Sequence, residues 1–315
     1  MLRHTPAQLS AAPPAQPCAE PPSPAAREAL RARLRALRQI PALRSLAQRF
    51  SISMRRDGLT ISEVVESLRH DPALCVRLLQ LANSAAIASR EPVSDLPTAV
   101  QLLGVSRVRL LSTTLLLQRD TEHFGGEFDW KHLWIHALAT ALLAERLDAW
   151  TGRRAADSLA ACAILHDVGK IALSVVEPDA YRDILLAAWR DRHSLPALEA
   201  ARLGLDHREA GALFGEAVGL PSAVLAAIAH HDSPAFSPHA HQPVVALVGV
   251  ANQWAKLRGL GFSGDGLVHE QDLWETPAWT AWCQTLPSPP DTDDFAAREP
   301  RWIEETKTEL KILRG

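Results

Sequence analysis

The stretch DSLAACAILHDVGKIALSVV, residues 157–176, places His166, Asp167 and Lys170 inside an otherwise apolar run. The run does not alternate and is too long for an ordinary strand, so it predicts buried helix, broken or ended near Gly169. A histidine and a carboxylate inside apolar surroundings are costly unless they are paired or hold a cation. His166 and Asp167 are therefore the first candidates for a metal site.

Helical signals extend outward from this stretch in both directions. Downstream, LDHREAGALFGEAVGLP (205–221) opens with Asp206 as cap, has Glu209 three positions on, and stops at Gly219 before Pro221. PSAVLAAIAHHD (221–232) and PVVALVGVANQWAKLRG (243–259) follow, the latter stopped by Gly259. Upstream, DWKHLWIHALATALLAERLDAW (129–150) is one helix, apolar on most sides. Thr60 and Glu63 have capping-box spacing, and Asp71-Pro72 is a cap followed by proline at the first helical position. SDLPTAVQLLGVSRVRLLSTTLLLQ (94–118) predicts two helices split at Gly104, with Ser106 as the new cap. REALRARLRALRQI (27–40) is an amphipathic helix whose arginines form a solvated face.

The expected class is all-α, with two helical lobes. Residues 25–122 form an N-terminal helical lobe and residues 123–260 a second helical lobe. Residues 1–24, rich in proline and alanine, form a disordered tail. Residues 261–315 form a loosely structured extension, anchored on the lobes by Trp274, Trp279, Trp282 and Trp302.

Composition narrows the function. The 315 residues are 47% hydrophobic and 22% charged, with a net charge of −3, so no global field recruits nucleic acid or an anionic membrane. The sequence leads us to expect neither a secretory leader nor a membrane span. The four cysteines form no CxxC pair and read as reduced thiols in a cytoplasmic protein. The helix pair over 60–83 has the outline of a helix-turn-helix, with Arg69 and Arg77 as its cations, but the acidic balance disfavours DNA binding.

The histidines carry the chemistry. His136 lies mid-helix between His132 and Thr140, one turn away on either side. His207 opens a helix, and His230 and His231 close another. Any one of these could be a hydrogen-bonded core residue. Together, on separate helices, they could converge where bundles build metal sites. Neutral imidazoles with one carboxylate suit Zn, Fe, Mn, Ni or Co and are poor for Ca.

The order His136, His166-Asp167, His207, His230-His231 resembles the HD superfamily of metal-dependent phosphohydrolases. The segments ISEVVESLRHDPALCVRLLQLANSA, TAVQLLGVSRVRLL, LWIHALATALLAERL, AILHDVGKIAL and GLDHREAGALFGEAVGLPSAVLAAIAHHDSP match, in order, its HDOD branch of bacterial signalling proteins. The resemblance implies that the second lobe is a degenerate HD domain. It also implies a metal-ligand set of His136, His166 and Asp167, with His207, His230 and His231 as a second-ion set. Asn252 stands where active relatives carry a last aspartate, and no GYP segment follows the paired histidines. A cyclic di-GMP phosphodiesterase of that type is therefore not expected. The leading expectation is a stand-alone regulatory module acting through protein contacts with signalling partners, without catalysis. The alternative is a metal-dependent phosphohydrolase of a nucleotide or phosphoester, with Asp167 and Lys170 as its working residues. A nucleotide is the expected ligand class if a small molecule binds.

Overall fold

The structure is a computed structural model that describes residues 22–39, 60–68, 71–84, 92–121, 130–152, 158–264 and 272–314. Every regular element among these residues is helical, so the all-α expectation holds. The expected tail over 1–24 lies outside the described residues except for its end. There Ser23 caps the first helix, α1 (Pro24–Ala36), which begins at Pro24.

Helices α2 (Ile61–Leu68), α3 (Pro72–Ala82), α4 (Leu96–Leu103) and α5 (Val105–Thr121) pack on one another. Their boundaries follow the caps. Thr60 and Glu63 exchange backbone and side-chain hydrogen bonds. Asp71 accepts from Leu74 N–H and Asp95 from Thr98 N–H. The Asn83 side chain donates to Val93 O and accepts from Val93 N–H, tying the end of α3 to the approach to α4. Gly104, at φ +83°, turns the chain through 105°. The next helix starts at once at Val105, so Ser106 lies inside it instead of capping it.

Helix α6 (Trp130–Trp150) is the central rod, buried along most of its length. Around it and its neighbours lie α7 (Leu159–Leu165), α8 (Val168–Val176), α9 (Pro178–Asp191), α10 (Leu195–Leu203), α11 (His207–Val218), α12 (Ser222–His230) and α13 (Gln242–Leu257). Helix α13 packs lengthwise on α6, and α11 on α8. The apolar run 159–176 breaks at His166-Asp167, three residues earlier than the glycine suggests. By length and composition this run could cross a membrane, yet it is mostly buried inside the protein. Helix α1, grouped by sequence with residues 25–122, packs instead on α11 and α8. Arg31–Glu209 and Arg33–Glu177 ion pairs hold it there.

The extension is more ordered than expected. It forms α14 (Pro277–Cys283) and a 23-residue α15 (Thr292–Arg314). Phe295 is fully buried, with the rings of Trp150, Trp254, Trp274, Trp279 and Trp302 between 5.1 and 6.4 Å away. Arg146 of α6 donates to Glu305, Thr306 and Glu309 of α15, and Arg107 of α5 pairs with Glu309. One continuous apolar core runs from Leu30 to Leu310.

Candidate metal centre

The break between α7 and α8 positions the centre. Helix α7 ends at Leu165, so His166 and Asp167 occupy a tight turn and both point inward. Gly169 lets α11 approach at backbone distance, since a Cβ there would lie 1.7 Å from His207 O. This crossing brings His207, the first residue of α11, beside Asp167. Asp206 caps α11 and fixes the angle at which His207 enters. His231 arrives from the end of α12, and His136 and Asn252 face each other from α6 and α13.

Three of the rings are held by the same device. His166 Nδ1 lies 2.7 Å from Ala163 O, His207 Nδ1 2.6 Å from Glu199 Oε2, and His231 Nδ1 3.1 Å from Ala227 O and Ile228 O. Each Nδ1–H therefore donates outward, which leaves an Nε2 lone pair facing the centre. All three Nε2 atoms, and Asp167 Oδ1, are buried without a hydrogen-bond partner. His207 and His231 Nε2 lie 3.4 and 3.5 Å from Asp167 Oδ1, and His166 Nε2 lies 3.3 Å from Oδ2. Buried polar atoms left without partners at such short separations fit a bound cation. Two groups could hold an ion: His136, His166 and Asp167, and Asp167, His207 and His231. The mixed nitrogen and oxygen donors fit a divalent transition ion.

His136 differs from the other three. Its Nε2 is 2.9 Å from Asn252 Oδ1, and Asn252 Nδ2 donates to Asp232 Oδ1 at 3.3 Å. Its other nitrogen lies 3.3 Å from Leu260 O. Gly261 permits this approach, because a Cβ there would fall 2.3 Å from His136 N. Lys170 is buried; its ammonium donates to Asp167 Oδ2 at 2.7 Å and to Ser263 O at 2.6 Å. The segment 260–263 thus lies against His136 and is tied to the centre through Lys170, which donates to Ser263 O.

The electrostatics follow from burial and partners. Burial pushes His136 and His231 down to about 3, so both are neutral imidazoles at pH 7. Burial also opposes the charged form of His207, but the Glu199 carboxylate outweighs it and raises its pKa above the ordinary 6.5. Burial alone would raise Asp167, yet the Lys170 ammonium and the facing histidines hold it well below the ordinary carboxylate range.

The structure therefore gathers His136, His166, Asp167, His207 and His231. His230, expected in the same set, is half-buried and belongs to neither group. It precedes His231 by one residue and so points about 100° away around the helix. Two residues passed unnoticed in the sequence. Glu199 lies at spacings of four between Leu195 and Leu203, on the buried stripe of α10. A glutamate on an apolar stripe was the available signal. It accepts from His207 N–H, from the His207 ring and from the Tyr181 hydroxyl. Asp232 directly follows His231, and its Oδ2 lies 3.5 Å from His231 Nε2.

Comparison with known proteins identifies the family and the fold. The family model for the HDOD domain matches residues 40–234. A Treponema pallidum (strain Nichols) protein, called only uncharacterized, is 27% identical over 217 residues, covering 68% of this chain and 41% of the relative. The chain thus spans about two fifths of that relative's length. A solved HDOD domain protein of unknown function from Geobacter sulfurreducens superposes with a TM-score of 0.71 at 21% identity, covering 85% of this chain and 91% of the other. A candidate phosphohydrolase from Shewanella amazonensis SB2B superposes at 0.62 with 23% identity, covering 86% and 93%. At these identities the solved structures share the fold, and no activity is transferred by the likeness.

Proposed function

The chain belongs to the HDOD domain family, and on that premise we propose that it is a regulatory module. It acts through contacts with signalling proteins, holds a divalent ion at its centre, and hydrolyses no substrate. A cytoplasmic setting goes with this reading, in which Cys75, Cys162 and Cys283 are free thiols.

The observation that carries the proposal is closure. His136, His166, Asp167, Lys170, His207, His231 and Asn252 are each at most 2% exposed. A phosphoester must bring its phosphorus, its leaving group and a water to the ion in hydrolysis. Here segment 260–263 lies against His136. The lysine that would meet a phosphate is engaged by Asp167 and by Ser263 O. Asn252 in place of a carboxylate also removes a charge that could orient or deprotonate water. An ion held on Asp167, His207 and His231 ties the α7–α8 turn to α11 and to the end of α12.

The test uses the full chain purified from metal-replete medium. Elemental analysis is paired with a panel of mono-, di- and cyclic nucleotides and p-nitrophenyl phosphate. The expected result is bound ion without turnover. Metal-dependent turnover that disappears in the His166→Ala/Asp167→Ala double variant would overturn the proposal in favour of a phosphohydrolase. The observation favouring that second reading is that the two ligand groups share Asp167, as two-ion hydrolytic sites share a carboxylate.

A further inference from the structure

The two ligand groups differ in charge and satisfaction. In the first group, His136 Nε2 is spent on Asn252 Oδ1, and the Asp167 oxygen facing His166 is neutralised by Lys170 at 2.7 Å. Only His166 Nε2 there lacks a partner. In the second group, His207 Nε2, His231 Nε2 and Asp167 Oδ1 all lack one. A second carboxylate also stands beside it. Asp232 Oδ2 is 3.5 Å from His231 Nε2, while its Oδ1 receives Asn252 Nδ2 at 3.3 Å and faces Lys256 at 3.7 Å. Glu199 adds a third carboxylate behind His207.

From this we infer that the centre holds one divalent ion, in the second group, with Asp232 as its fourth protein ligand. The inference rests on the ion-holding reading above. Ligand atoms about 2.1 Å from a tetrahedral ion lie about 3.4 Å from one another. The separations here are 3.4 Å (His207–Asp167) and 3.5 Å (His231–Asp167); Asp232 stands 3.5 Å from His231 but outside the group of Asp167, His207 and His231, so its carboxylate completes the set by rotating inward. Asp232 is also the residue to which Asn252 donates, so a carboxylate stands one side chain away from that amide. The Asp232 side chain is 22% exposed and is the most accessible member of the set, so it lies where an ion would enter. The first group keeps its shape through hydrogen bonds, which require no metal.

The test measures Zn(II) and Co(II) stoichiometry and affinity on the full chain by chelator competition, with Co(II) absorption as a signature of ligand type. Circular dichroism checks the fold of each variant. Wild type is expected to bind one ion. Asp232→Asn should weaken binding at least tenfold and change the Co(II) spectrum, and Asp232→Glu should recover part of the loss. His136→Gln should stay within about threefold of wild type. Asn252→Asp should raise the stoichiometry to two by recharging the first group. If one ion binds but His136→Gln loses it while Asp232→Asn keeps it, the assignment is overturned and the regulatory reading stands. Two ions bound to wild type with similar affinity would overturn the assignment as well. No ion under any loading condition overturns both.

Discussion

Glu199 supports His207 through a buried charge, so replacing it with glutamine tests the orientation of the centre without changing its shape. In Glu199→Gln the side-chain oxygen still accepts from His207, and the amide faces the Tyr181 hydroxyl, which can accept from it. What is lost is charge. A buried hydrogen bond to a charged group contributes about 1.5–3 kcal/mol, against about 1 kcal/mol for a neutral one. The 2.6 Å ring contact therefore loses about 0.5–2 kcal/mol of its hold on the Nδ1–H form. If that hold is expressed in ligation, ion affinity falls roughly 2- to 30-fold, overlapping the lower part of the range of about 10- to 100-fold seen for partners of metal-bound histidines. The pH dependence sharpens the test. Burial lowers the His207 pKa and Glu199 more than restores it, so in wild type a proton competes with the ion, and affinity climbs as pH rises through the raised pKa. Removing the carboxylate lowers that pKa, so the climb shifts to lower pH. Chelator competition with Zn(II) from pH 5.5 to 8.5 reads both effects, and Tyr181→Phe serves as the control that spares the His207 contact. An affinity at pH 8 within a factor of two of wild type, in a folded variant, would refute the reasoning.

Other perturbations follow from the same packing. Gly169→Ala places a methyl 1.7 Å from His207 O, so α8 and α11 must separate; stability should fall by at least about 3 kcal/mol in urea titration, with loss of ion binding. Phe295→Ala empties the middle of the tryptophan cluster and should cost about 3–5 kcal/mol, with red-shifted tryptophan emission. Glu145, beside Arg107, Arg146 and Glu309, is raised by burial to about 7 from 4.5. A carboxyl raised in the folded state contributes stability that is fully present below 4.5 and is lost as pH rises through 7. Glu145→Gln should therefore gain up to about 2–3 kcal/mol on wild type at pH 8 and little at pH 4.5, read by thermal melts across pH. Asp71→Ala should cost about 1 kcal/mol in the same assay, because Leu74 N–H loses its acceptor.

Much of the local structure was legible in the chain. The caps at Thr60, Asp71 and Asp206 and the glycine stops at 104 and 219 are local events, written in a few adjacent residues. The break of the 159–176 run falls three residues before Gly169, at the two residues whose polar side chains are buried in the centre. The extension was misjudged because its tryptophans and prolines look irregular until Phe295 is placed among them. Glu199 was missed because one glutamate on a helix carries no sign of its partner eight residues on.

The sequence by itself determined an all-helical protein with five of its chemical side chains, because helix periodicity and caps are short-range and the histidines stand out against apolar flanks. Tertiary structure alone decided which atoms meet. His230 and His231 are adjacent in the chain, yet only one reaches the centre, since each residue turns 100° about the helix axis. Asp167 has two chemically equal oxygens, yet Lys170 takes one and two histidines face the other. Asn252 and Asp232 are twenty residues apart, and only the packing of α13 against the end of α12 shows that one stands beside the other. Charge and lone pairs act over a few ångströms of space, and a linear sequence does not record those distances.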